Sequence, residues 1–194
     1  HSYSSAASDV YKRQVVHTSP VTGMTVDLEK ITKEVRNVTP DCIIIVDGIQ
    51  HSSHGAIDVQ KYDIDGYVVS PYKMFSRHGY GVAWASERLC SLNKEQLADG
   101  PFQNWELGTR DAGSYATFSD VVDYLDWLGS NFTESENTRE RLEASSIAIK
   151  SHEQELVDLV INGAEDIVGL RNNKKIRIIG NSASTSREGV VSFF

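Results

Sequence analysis

Apolar and polar positions fall into blocks whose period changes along the chain. Residues 15–18 form a short β-rich run, and Ser19-Pro20 through Gly23 punctuates it as a loop. Asp27 then opens a helical pattern reaching Val35, with Leu28, Ile31 and Val35 on one face. Residues 42–46 are continuously apolar, as expected of a strand buried on both faces of a parallel sheet. A short helix is expected over 57–62 and a second buried strand over 66–70. A third strand, over 82–86, would pair with the second across a Gly-rich turn. Strands alternating with helices at this spacing predict an α/β layered domain. In such sheets ligands sit beyond the carboxyl ends of the strands.

From Ser114 the character changes. Tyr115, Phe118, Val121, Val122, Leu125 and Leu128 recur at helical spacing up to Gly129. A second, longer helix is expected over 134–168, its Glu and Lys residues making a solvated face. Residues 174–179 and 190–193 read as two strands joined by a polar loop, the entrance to a smaller second domain.

Composition narrows the function classes. A chain of 194 residues with 40% hydrophobic and 24% charged content suits one substantial domain, or one plus part of another. A net charge of -8 argues against a general nucleic-acid binder, and no apolar run approaches a membrane span. The two cysteines, Cys42 and Cys90, lack metal-ligand company, so neither a disulfide framework nor a zinc site is expected, and a reducing cytoplasm is. His51 and His54 have no third ligand at a useful spacing, so no metal site is expected there. Residues 1–14 show no apolar periodicity, and SSAASDVYKRQ resembles a translated sequencing adapter. They are set apart as a non-native or disordered leader. The chain stops inside a plausible strand, Gly189 to Phe194, and so reads as a piece of a longer protein.

The chemistry concentrates between Ile43 and Gly81. One apolar strand ends in Asp47, with Gln50 a turn later. The next ends in Ser70-Pro71-Tyr72-Lys73, with Gly79 and Gly81 following. A lysine and a carboxylate at neighbouring strand ends are what a pyridoxal-phosphate enzyme needs. The lysine forms the Schiff base, and the acid keeps the pyridine nitrogen protonated so that the ring accepts a carbanion's electrons. The plainer alternatives are a surface lysine at a strand end and an aspartate that caps the next turn.

The same residues carry a resemblance to the class V aminotransferase family, which includes cysteine desulfurases, selenocysteine lyases, kynureninases and isopenicillin-N-epimerase-like enzymes. That resemblance implies part of the large domain of the type I fold of pyridoxal-5'-phosphate-dependent transferases, followed by the start of the small C-terminal domain. It implies Lys73 as the Schiff-base residue, Asp47 on the ring nitrogen, Gln50 on the ring hydroxyl, and Ser70 and Tyr72 on the phosphate. Many desulfurase-like relatives carry His where Tyr72 stands; a phenol donates a similar hydrogen bond but brings no positive charge. The spacing of His54 from Asp47 is a recurrent family feature, and His54 is expected to shape the pocket. A second matching island, Trp105 to Thr109, implies that Thr109 reaches the phosphate bound by the other subunit of a homodimer. A helix N-cap at Gly108-Thr109 is the plainer alternative, and both can hold. Pro20 stands where desulfurases usually place an Asn near the substrate carboxylate, which tilts the reading towards lyase-like or epimerase-like branches.

The resulting domain plan is a leader over 1–14, a cofactor-binding portion over 15–130, and a connecting helix with the start of a small domain over 131–194. The function implied is a pyridoxal-phosphate enzyme acting on an amino acid, with the chain alone holding half an active site. A non-catalytic relative serving as an interaction module is the competing reading. A nucleotide-binding α/β domain is a weaker third, since no glycine-rich fingerprint follows a first strand.

Overall fold

The computed structural model describes residues 12–95, 97–98, 105, 107–108, 111–181 and 187–194. Four strands make the central sheet: β1 (Lys12–Val16), β2 (Ile43–Asp47), β3 (Gly66–Val69) and β4 (Val82–Ala85). They lie in the order β1-β2-β3-β4, the first three parallel and β4 antiparallel to β3. β1 begins at Lys12, inside the segment set apart from the sequence, and Lys12, Arg13 and Gln14 pair with Ile43, Ile44 and Ile45. The apolar run of β2 is explained by its central position: Ile43, Ile44 and Val46 are all buried. Ile44 and Val46 join Leu28, Cys42, Ile64, Tyr67 and Val69 in the core cluster.

Helix α1 (Leu28–Val38) crosses from β1 to β2 and is capped by Asp27, whose side chain accepts from the Lys30 amide at 3.0 Å. Its last turn is pinned by Arg36, which donates to Asp65, Asp63 and the carbonyls of Pro40 and Cys42. The helix expected over 57–62 is not formed. Asp58 accepts from the Gln60 amide at 3.2 Å, and Asp63 takes a left-handed φ of 45°. This local side-chain bonding competes with helix and wins as a series of turns. Ile57, Val59 and Tyr62 still pack against the core. A one-turn helix, α2 (Glu87–Cys90), follows β4.

Helices α3 (Ala112–Gly129) and α4 (Thr138–Asn162) pack together, joined by an ion pair of Arg141 with Asp126 at 3.2 Å. The α3 cap is Asp111, which accepts from the Ser114 amide, and not the Gly-Thr pair weighed as the plainer alternative. α4 is shorter than expected at both ends. Asn137 caps its start, and Gly163 stops it with φ 84°, after which a hairpin of β5 (Gly163–Ala164) and β6 (Ile167–Val168) takes over. The two strands expected near the end reduce to a short antiparallel pairing. It comprises a bridge of Ile178 with Phe193 and hydrogen bonds between Arg177 and Phe194 and between Ile179 and Ser192. The buried Arg187 fastens this segment by donating to the carbonyls of Ile179 and Asn181 at 2.9 Å. The segment reaches the loop after β1 through a hydrogen bond that the Glu188 amide donates to the Gly23 carbonyl at 3.0 Å.

Candidate active site

Register brings the predicted residues to one edge. Val16, Asp47 and Val68 are neighbours across three parallel strands, so the residues just after each strand share the carboxyl end of the sheet. His17 and Thr18 follow β1, Asp47 closes β2, and Ser70 to Lys73 follow β3. Asp47 is half-buried, and its Oδ1 accepts from the Ile49 amide at 3.1 Å. The turn-capping role weighed for it from sequence is therefore present, on one of its two oxygens.

Lys73 lies in a single 3-10 turn, Pro71–Met74, that bends the chain back immediately after β3. Its Nζ donates to Gln50 Oε1 at 2.7 Å, across 23 residues of sequence. Gln50 Nε2 lies 3.1 Å from His54 Nε2, and His54 Nδ1 lies 2.7 and 2.8 Å from the two carboxylate oxygens of Glu153 on α4. Burial opposes charge on His54. The hydrogen bond to Glu153 and the charges of Glu153 and Glu188 outweigh it, against Lys73, and hold the imidazole above its ordinary pKa.

Beside this row lies a buried second cluster. His51 Nδ1 is 2.5 Å from Glu188 Oε1, and its ring lies against His17 with centroids 3.6 Å apart and planes tilted by 32°. His17 shares a 2.8 Å hydrogen bond with the Tyr67 hydroxyl. Burial, followed by the charges of His51 and Lys150, pushes His17 down to about 3, so it stays neutral at ordinary pH. Burial pushes the Tyr67 phenol up, and it too stays neutral. Glu188 Oε2 is buried without a hydrogen-bond partner.

The remaining expected residues are less engaged. Ser70 precedes the lysine turn and makes no side-chain capping bond there. Tyr72 is exposed, with its ring stacked on His78 at 4.3 Å. Thr109 lies outside the described residues. No group of three His, Cys, Asp or Glu side chains able to hold a metal ion occurs among the described residues. Sequence reasoning missed His17, Glu153 and Glu188. His17 directly follows a strand end and was open to the same argument as Asp47. The two glutamates gave no local signal.

An α/β domain with a lysine turn and a carboxylate at adjacent parallel strand ends is the class of protein these features define. The chain belongs to the aminotransferase class-V family, whose model matches residues 12–194. It is 24% identical over 192 residues to a probable cysteine desulfurase 2 of Mycobacterium leprae, covering 91% of this chain and 40% of that protein. A cysteine desulfurase of Wigglesworthia glossinidia brevipalpis is 37% identical over 75 residues, covering 39% of this chain and 18% of that protein. Among solved structures, an apo cysteine desulfurase from Thermococcus onnurineus NA1 superposes with a TM-score of 0.69 at 21% identity, covering 94% of this chain and 44% of the other. The fold is the type I fold of pyridoxal-phosphate-dependent transferases. The chain spans less than half the length of these relatives.

Proposed function

We propose that this chain carries the cofactor-binding core of a pyridoxal-phosphate-dependent enzyme that acts on an amino acid by lyase, desulfurase or epimerase chemistry. The observation that carries the reading is the 2.7 Å bond from Lys73 Nζ to Gln50 Oε1, made where Asp47 closes the adjacent strand. The donor set fits the cofactor. Lys73 supplies an amine, Asp47 a carboxylate with one oxygen unused by its turn, Gln50 an amide, and Ser70 a hydroxyl free of capping duty. In this reading Lys73 holds the aldehyde carbon, Asp47 the ring nitrogen, Gln50 the ring hydroxyl, and Ser70 and Tyr72 the phosphate. When bound, the group supplies an electron sink for charge developing at the substrate's α-carbon. Asp47 would sustain that sink as a charge-assisted hydrogen-bond partner, and the Lys73 amine would move the proton at the α-carbon.

Thr109, reaching the phosphate of a second subunit, and a homodimer as the working unit belong to the same proposal. So does the partition into a cofactor-binding portion over 15–130 and a connecting helix with small-domain start over 131–194. The relatives named cysteine desulfurase favour C–S chemistry, while Pro20 at a substrate-facing loop favours the lyase-like or epimerase-like branches. The two cysteines are free, which supports a reducing, cytoplasmic setting.

The test is borohydride reduction of the full-length protein after adding pyridoxal phosphate, followed by peptide mapping. A single modified site at Lys73, lost in Lys73→Ala, is the expected result. Label scattered over several lysines, or a Lys73→Ala variant with unchanged turnover, would overturn the reading and leave the interaction module in its place.

A further inference from the structure

We propose that Glu153, on α4, is a positioning residue for Lys73 and acts through His54 and Gln50. Lys73 Nζ is a donor only, so the oxygen of the Gln50 amide must face it, as the 2.7 Å contact shows. The Gln50 amide nitrogen then faces His54 Nε2 at 3.1 Å, and that ring nitrogen has to accept. The His54 proton is thereby placed on Nδ1, where Glu153 takes it with both oxygens at 2.7 and 2.8 Å. Each link fixes the polarity of the next. A carboxylate on a helix 80 residues from the lysine turn in sequence thus supports the amide orientation that the lysine requires.

The arrangement holds only while Nε2 of His54 is bare. Protonation would set a second N–H against the Gln50 amide nitrogen, and relief requires the amide to turn over. Its NH2 group would then face the Lys73 ammonium, donor against donor, and the lysine would lose its anchor. The charged groups that face His54 are Glu153 from α4, Glu188 from the C-terminal segment and Lys73 from the turn after β3. Of these, Glu153 alone among the described residues hydrogen-bonds the ring, so it governs both tautomer and titration. Lys73 matters here as the cofactor-bearing lysine, so the functional meaning of the row rests on the reading above.

Two measurements on the full-length protein without added cofactor test it. The first is 15N NMR of the histidine rings across pH. The second is trace acetylation of Lys73 with acetic anhydride, read by mass spectrometry across the same range. Neutral His54 is expected as the Nδ1–H tautomer, and Lys73 reactivity is expected to show an inflection at the His54 midpoint. E153Q keeps an oxygen that accepts from Nδ1 but removes the charge. It should preserve the tautomer and move both the His54 midpoint and the Lys73 inflection downward together. E153A removes the acceptor and should abolish the inflection. An Nε2–H tautomer in the parent protein would overturn the proposal. So would a Lys73 profile that stays fixed while the His54 midpoint moves in E153Q. The failure modes separate: coupled profiles without cofactor attachment at Lys73 would leave the row and remove the enzyme reading. Attachment with uncoupled profiles would do the reverse.

Discussion

At the scale of single residues, Asp65 shows how this fold tolerates a charge in its interior. The residue is 1% exposed, yet its carboxylate accepts from Arg36 at 2.9 Å, Arg88 at 2.6 and 2.7 Å, the Ile44 amide at 2.8 Å and the Ser86 hydroxyl at 3.2 Å. Burial works against the ionised form. The bonds from Arg88, Ile44 and Arg36 outweigh it and hold the carboxyl below the usual range. Removing one partner of such a cluster leaves the others desolvated and unpaired. Asp65→Ala should therefore cost about 3 kcal/mol in urea denaturation, the lower end for a broken buried pair. The lower end applies because Arg36 keeps Asp63 and two carbonyls, and Arg88 is partly solvated. A loss below about 1 kcal/mol would mean that the cluster is no more than a surface ion pair in energetic terms. Asp65 also bears on the site, because it ties β2, β3 and α1 into one register. That register brings the ends of β2 and β3 side by side.

At the scale of elements, the close approach of α3 and α4 decides where Glu153 stands. Gly129, the last residue of α3, packs against the backbone of Arg141, and a Cβ there would lie 1.9 Å from the Arg141 carbonyl oxygen. No flexible side chain can yield, so Gly129→Ala must push the helices apart. The expected cost is about 1–3 kcal/mol, read from the shift in the denaturation midpoint. An unchanged midpoint would show that the helices do not meet as described. Elements of this kind were unevenly legible in the sequence. β2 announced itself because a strand buried on both faces needs an unbroken apolar run, and the polar break after Val46 marked its end at Asp47. Helices α1 and α3 followed from their apolar spacing. The turns over 57–62 were misread because the stretch is apolar enough for a short helix, yet Ile57, Val59 and Tyr62 meet the core at a spacing that no single helix face provides, and the Asp58 side chain redirects the backbone. The end of α4 was overrun because apolar spacing continues through Ile167, beyond the stop that Gly163 imposes with its left-handed φ.

At the scale of the whole molecule, the candidate site is assembled from stretches that no sequence window contains together. Asp47, Gln50 and Lys73 were legible because strand ends share one edge of a parallel sheet. Glu153 and Glu188 were not, because they lie 99 and 137 residues from the histidines they bind. Pairing at His54 and burial at His17 make stability depend on pH in two opposite ways. His54 has a raised folded-state pKa, so the stability that it contributes is fully present below its unfolded value, near 6.5, and is lost as pH rises through its folded value. His17 has the opposite sign, lowered to about 3. Its neutral form is stabilised by folding, so its contribution is complete above about 6.5 and is lost as pH falls from there towards 3. Asp65, also lowered, adds its loss only at more acidic pH, below its unfolded value of about 3.9. A maximum near neutral pH should result, with an acid limb that belongs first to His17 and then to the carboxylates. Urea denaturation midpoints measured between pH 4 and 9 check this. His17→Asn should flatten the limb between about pH 6.5 and 4 while leaving the alkaline limb in place. Glu153→Gln should flatten the alkaline limb and leave the acid one. An acid limb that survives His17→Asn undiminished would transfer that sensitivity to another group, and His17 would lose its claim to be held neutral by the fold.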